Sequence, residues 1–200
     1  MTSTISRFLF DFLNKPLLLI RLFVFVFIAG GTTQLIAAET FPSTLEFSSN
    51  SLQKQGVGKR KKAFLSLYTA GLYLGENSDD GAAISAADEP MAIRLNIVSG
   101  LISSKKMKSA LWDGFEKATK GDLEPIKSEI ELFASGFADE IVKKDVFDLV
   151  YLPGDGVEVL KNGQSKVTVS GLAFKQALFG IWLSDDPIQA SLKRAMLGAK

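Results

Sequence analysis

The chain has 200 residues, 23 basic and 22 acidic side chains, and neither cysteine nor histidine. That composition excludes disulfides, Ser-His-Asp and Cys-His nucleophile pairs, His-ligated zinc and an imidazole proton shuttle, so any chemistry must use Arg, Lys, Tyr or carboxylates. The length suits one domain, and a formal charge of +1 steers it toward neither nucleic acid nor an anionic membrane.

Arg7, Lys15 and Arg21 precede the apolar run Leu22 to Ala29, which leads through Gly30 and Gly31 to Leu35-Ile36-Ala37-Ala38. A charged n-region, an apolar h-region and a small-residue exit are the layout of a secretory signal, with cleavage expected after Ala38. An uncleaved anchor is the alternative, but Arg21 leaves a clean apolar stretch short of the roughly 20 residues a span needs. Residues 1–38 are therefore expected to be a signal peptide and residues 39–200 a mature domain, periplasmic or secreted, without a stable membrane anchor. Cleavage removes Arg7, Lys15, Arg21 and Asp11, leaving 20 basic against 21 acidic side chains. Export without cysteine suits a bacterial envelope compartment.

In the expected mature chain, Pro42 to Phe47 reads as an entry strand and Ala63 to Leu74 as a long one ending at Gly75-Glu76-Asn77. Asn77 to Pro90 reads as loop with a short helix at Ala82 to Ala87. Residues 92–98 alternate apolar and polar, as a half-buried strand does. From Ser104 the period becomes helical, with Met107, Leu111, Phe115 and Ala118 on one face and Gly121 as the stop. A second stripe, Ile126, Ile130, Phe133, Phe137 and Ile141, predicts another helix with Pro125 near its first turn. Three short strands follow, Val146 to Leu152, Gly156 to Leu160 and Ser165 to Val169, the last two joined by the hairpin signal Asn162-Gly163. Phe174, Ala177, Leu178 and Ile181 mark a further helix, and Asp186-Pro187 reads as the N-cap and first turn of a last helix through Leu197. The pattern predicts an α+β fold, an antiparallel sheet with helices packed on one face.

Few residues stand out chemically. Gly56-Val57-Gly58 beside Lys59 and Arg60 could let the backbone approach an anion, but its spacing fits neither the dinucleotide fingerprint nor the P-loop, and a bulge or tight turn before a strand explains it as well. Lys59 to Lys62 reads as a solvated strand end rather than a nucleic-acid patch. Tyr68 and Tyr73 lie at odd separation and face opposite sides of a regular strand. Asp79-Asp80 and Asp185-Asp186 could suggest a glycosidase or calcium site, but loop placement and helix capping account for them. Trp112 and Trp182 read as buried helix residues.

Gly56-Val57-Gly58-Lys59-Arg60, Leu67-Tyr68-Thr69-Ala70-Gly71-Leu72-Tyr73-Leu74, and the run from Ala177-Leu178-Phe179-Gly180-Ile181-Trp182 through Asp185-Asp186-Pro187 together resemble the bacterial chalcone isomerase-like family. The likeness spans about residues 41–198 and implies an open-faced β-sandwich with a ligand cleft between sheet and helices. It also implies that Arg60, after the Gly-x-Gly turn, points into the cleft and holds a phenolate or a fatty-acid carboxylate. Alignment on Gly71 to Leu74 puts Tyr68 where plant isomerases carry threonine, and alignment on the late helix puts Ala177 near their second hydroxyl-bearing position. Neither match is conserved in type, and Ser103 to Phe115 lacks the family's Tyr and Asn pair.

The resemblance implies three readings: a binder of a small amphipathic anion such as a fatty acid, an isomerase of the intramolecular lyase type acting on an enone-bearing phenol, or a non-catalytic envelope partner. The candidate ligand-binding residues are Arg60, Tyr68 and Tyr73, and in the isomerase reading Arg60 and Tyr68 are the electrophile and the hydroxyl donor. No cofactor or metal is implied. Arg60 and Tyr68 are eight residues apart, roughly 26 Å along an unbroken strand, so they share a ligand only if the chain bends between them.

Overall fold

The computed structural model describes residues 40–199, and the expected signal segment lies outside them. Seven strands, β1 (Thr44–Phe47), β2 (Asn50–Lys62), β3 (Leu65–Leu74), β4 (Met91–Ile97), β5 (Val146–Leu152), β6 (Gly156–Lys161) and β7 (Gln164–Val169), are joined by five helices. These are α1 (Gly81–Ala86), α2 (Ser104–Ala118), α3 (Lys127–Ser135), α4 (Leu172–Leu183) and α5 (Ala190–Met196). The strands form one sheet in the order of the chain, every neighbouring pair antiparallel.

Alternation along each strand sorts the residues onto two faces. Tyr68, Ala70, Leu72 and Leu74 of β3, Met91, Ile93, Leu95 and Ile97 of β4, and Phe147, Leu149 and Tyr151 of β5 turn toward the helices and form the main core. Met107, Leu111 and Phe115 of α2, Ile130 and Phe133 of α3, and Phe174 and Leu178 of α4 close over them. Phe133 meets Phe115 edge-on at 6.1 Å, and Phe137 stacks on Phe147 at 5.0 Å; such contacts add to the apolar area they bury. The opposite face carries a small cluster, Leu45, Leu52, Tyr73, Ala92 and Val150, with Phe41 packed against it. The expected α+β fold, an antiparallel sheet with helices on one face, is the fold observed.

The differences from the sequence reading are local. Strand β2 was not expected: Gly56, Gly58 and the run Lys59 to Lys62 have low strand propensity, yet they pair across to β3 from Gln53 to Lys62. The Gly-x-Gly segment is therefore strand interior rather than a tight turn before a strand, with a register shift, the expected bulge, between Lys54 and Gly56. A Cβ on Gly56 would stand 2.3 Å from the Ala195 carbonyl oxygen, and one on Gly58 would stand 2.8 Å from Leu192 Cδ1, so the glycines seat α5 directly on the strand. Helix α3 ends at Ser135, with Gly136 as its C-cap packed against Val167, 2.7 Å from where a Cβ would be; Phe137 and Ile141 stay buried in irregular chain. Helix α5 begins at Ala190 with Gln189 as its N-cap, so Asp186 and Pro187 do not start it. Asp186 instead pairs with Lys117 at 2.8 Å, and Ile188 N–H bonds the Ile181 carbonyl. Asp80, of the earlier carboxylate pair, caps α1 by accepting from the N–H groups of Ala82 and Ala83.

The end of the sheet beside α1 holds a buried lysine that sequence patterning did not single out. Lys175 of α4 has no exposed surface and donates to the carbonyls of Ile84 (3.0 Å), Ser85 (2.9 Å) and Ala87 (2.5 Å), satisfying the C-terminal end of α1. Burial pushes its ammonium down to about 8, against the opposing pull of Asp88 and Glu89. Replacing Lys175 by Met strands those carbonyls but removes the cost of the buried charge, for an expected net loss of about 1–3 kcal/mol. A folded-state pKa below the ordinary 10.5 gives a contribution that is fully present above that value and lost as pH falls through about 8. Chemical denaturation at pH 8 and at about 9.5 should therefore show the deficit of Lys175→Met widening with pH. That window lies below the titration of Tyr151, which burial, reinforced by Asp88, pushes up to about 12.

Candidate ligand site

The hairpin of β2 and β3 turns at Ala63-Phe64, with Lys62 paired to Leu65. This two-residue turn carries no Asn-Gly signal; Ala63 takes the left-handed conformation itself, at φ 51°. The bend makes Arg60 and Tyr68 direct cross-strand partners, which brings their Cβ atoms to about 5 Å. The separation that an unbroken strand would have imposed is removed.

Both residues line a cavity of about 580 Å³ between the sheet and α2 and α4. Its walls are apolar, with Leu67 and Leu95 from the sheet, Met107 and Leu111 from α2, and Phe137 and Ile181 opposite. Tyr68 is buried, and its hydroxyl oxygen accepts a hydrogen bond from Trp182 Nε1 at 3.1 Å. Burial pushes the phenol above its ordinary value, while Trp182 and the nearby Arg60 charge pull partway back. At neutral pH the hydroxyl is thus protonated, and since Trp182 uses an oxygen lone pair, its proton is available for donation.

Arg60 is held from the far end of the chain. Its Nη1 donates to the Lys61 carbonyl and, at 3.2 Å, to Gln189 Oε1. The same Gln189 oxygen accepts the Lys61 N–H at 2.8 Å, and Gln189 Nε2 donates to the Lys59 carbonyl at 3.0 Å. One side chain therefore grips three successive residues of β2. Both Arg60 bonds use Nη1, which leaves Nε and Nη2 as donors for Tyr68 or for an occupant. Lys62, Lys106, Asp113 and Lys117 stand among the exposed lining residues.

The three candidate residues are not all brought together. Tyr73 lies on the opposite face of the sheet, fully buried, and its hydroxyl donates to the Pro42 carbonyl at 3.0 Å. Ala177 is packed against the main core and is not among the residues lining the cavity. Gln189 and the hydrogen-bonding role of Trp182 escaped the sequence reading. They are separated from their partners by 129 and 114 residues, and no local pattern marks a contact of that range.

None of the curated proteins matches the chain. Among solved structures, the crystal structure of an Arabidopsis thaliana fatty-acid binding protein is similar, with a TM-score of 0.65 and 22% identity over 78% of this chain and 90% of that one. At that identity the likeness speaks to the fold. The family model described as chalcone isomerase-like matches residues 33–198. With the match running over nearly all the described residues, the chain belongs to the chalcone isomerase-like family.

Proposed function

We propose that the protein binds a small amphipathic anion, of which a fatty acid is the best-matched case, with the carboxylate at Arg60 and Tyr68 and the tail along the apolar walls. One observation carries the reading: a permanently charged fork and a protonated hydroxyl meet in a cavity whose buried walls are apolar and whose other charged groups stand exposed. Its volume of about 580 Å³ falls within the roughly 300–1,000 Å³ of small-molecule sites, which are mostly apolar with a few placed polar groups. A planar guanidinium matches a carboxylate bidentately. The similar plant structure is that of a protein named for binding fatty acids, which agrees with the reading.

Extraction of the protein from its own cells, followed by mass spectrometry, is expected to release a fatty acid or a related monoanion in near-stoichiometric amount. A protein that carries no such compound and takes up none in titration would refute the reading. Turnover of an enone-bearing phenol, lost in Arg60→Ala, would replace it with the isomerase reading.

We further propose that binding takes place outside the cytoplasm, on the strength of the charged n-region, the apolar run Leu22 to Ala29 and the small residues ending at Ala38. N-terminal sequencing of the native protein should begin near Glu39. A soluble cytoplasmic form that retains Met1 would contradict export.

A further inference from the structure

Three loops meet at the end of the sheet away from α1: the β2–β3 turn, the β4–α2 loop and the turn before β5. Val98 and Ser99 donate to the Leu67 carbonyl at 3.1 Å, and Lys144 N–H donates to the Ile97 carbonyl at 2.8 Å. Lys143 Cε lies 3.6 Å from where a Cβ on Gly100 would be. The cavity reaches the surface here, where Lys62, Leu65, Leu101 and Lys106 are exposed and line it, and also along α2 at Ser109, Ala110, Asp113 and Lys117.

This end is both apolar and cationic. Of eight large apolar side chains exposed among the described residues, five stand on these loops: Phe64, Leu65, Val98, Leu101 and Val142. Phe64 is 102% exposed, at the tip of the two-residue turn. Interleaved with them are Lys61, Lys62, Lys105, Lys106, Lys143 and Lys144, none of which forms an ion pair among the described residues. Against these stand the exposed Glu140 and Asp139, the latter paired with Lys166 at 3.0 Å; Asp145, which follows Lys144, is buried and paired with Lys161 at 3.1 Å. A near-neutral net charge conceals this local concentration.

We propose that this end of the molecule docks on an anionic lipid bilayer, with Phe64 and Leu101 entering the boundary between headgroups and acyl chains and the lysines meeting lipid phosphates. Exposed apolar clusters of this kind mark interaction surfaces. Convex loop tips suit a flat, deformable partner better than a rigid protein groove. Lysine stems can lie along the apolar layer while their ammonium groups reach the charged one. Docked in this way, the cavity opens onto the lipid, and an amphipathic occupant passes between bilayer and protein without crossing water. That last step rests on the ligand reading above; the docking itself does not.

The test uses protein from its native cells, with the N-terminus it carries there, and vesicles of phosphatidylcholine with or without phosphatidylglycerol. The chain has no cysteine, so a single thiol introduced as Val98→Cys or Leu172→Cys can carry an environment-sensitive fluorophore. The label at 98 should report an apolar surrounding with anionic vesicles only and lose the signal in high salt. The label at 172, on the first residue of α4, should stay silent. Phe64→Ser should lower affinity for anionic vesicles roughly 10- to 100-fold, and Lys61→Glu with Lys143→Glu by about 20-fold or more. Phe64→Ser should keep wild-type affinity for a fatty acid in solution, since Phe64 does not line the cavity.

A label at 98 that ignores every vesicle, or variants that dock like the wild type, would overturn the proposal. So would a Phe64→Ser variant that converts a dimer to a monomer without altering vesicle binding, because the face would then be a self-association surface. Docking without fatty-acid uptake in solution would leave the proposal standing and remove the ligand reading. Uptake without docking would do the reverse.

Discussion

Arg60→Ala is expected to weaken binding of a medium- or long-chain fatty acid by roughly 10- to 150-fold, the equivalent of about 1.5–3 kcal/mol for hydrogen bonds to a charged group. The loss is large because the guanidinium sits at the edge of an apolar cavity, where water competes poorly for the carboxylate. Arg60→Lys should recover only part of it, since a point charge cannot reproduce the fork and the bond from Nη1 to Gln189 is lost, while Gln189 keeps its bonds to the Lys59 and Lys61 backbone. Tyr68→Phe should cost less, about five- to tenfold for one neutral donor. Tyr73→Phe and Lys59→Ala serve as controls: Tyr73 is on the far side of the sheet, and Lys59 does not line the cavity. Titration followed by Trp182 fluorescence, or calorimetry if the indole does not respond, reads all five. Equal small losses throughout would mean that the carboxylate is held elsewhere.

Gly56→Ala is expected to cost stability at or above the upper end of the roughly 1–3 kcal/mol typical of overpacking. Its new methyl would meet backbone on three sides: the Ala195 oxygen at 2.3 Å, the Gly198 nitrogen at 2.7 Å and the Met196 oxygen at 2.8 Å. No rotamer change relieves a backbone clash, so the end of α5 must lift. Gly58→Ala should be milder, because its two nearest contacts are side-chain atoms of Leu192 and Ala195, and the backbone oxygen of Leu192 is further off at 3.2 Å. For a chain of this size, 3 kcal/mol corresponds to a Tm lower by roughly 6–12 °C, measurable by calorimetry. Gly56→Ala should also weaken ligand binding, since α5 begins beside Gln189. A Gly56→Ala protein with unchanged Tm would show that α5 is not pressed against β2.

What could be read from the sequence follows from where the decisive contacts lie. Helix α2, Ser104–Ala118, was legible because it buries one face in a regular period, and strand β5, Val146–Leu152, because a short run of β-prone residues ends at Pro153-Gly154-Asp155. Strand β2 was not, because the stretch that α5 covers carries glycines, Gly56 and Gly58, where a side chain would clash, so little apolar alternation remains to be seen. The hairpin bend was hidden in the same way, since Ala63 and Phe64 are poor turn residues and the strained Ala63 is held there by the pairing on either side. The candidate site inherits this blindness. Arg60 and Tyr68 could be singled out through family resemblance, and the opposite-face relation of Tyr68 to Tyr73 followed from strand parity. Gln189, Trp182 and the apolar walls are supplied by contacts between distant parts of the chain, which only the fold reveals.

The strict order of the strands has a kinetic counterpart. Two sets of hairpins, β1 to β3 and β5 to β7, need only short loop closures and can form from neighbouring segments, whereas β4 and β5 pair only across the excursion that carries α2 and α3. The site cannot form from neighbouring segments, because Gln189 and Trp182 must return from the end of the chain to meet Arg60 and Tyr68 near its start. A partly folded chain with its last two helices undocked would hold a nearly complete sheet and no competent cavity. Anything that binds the finished site therefore favours closure of the two chain ends, by RT ln(1 + [L]/Kd), and acts as a check that folding has gone to completion.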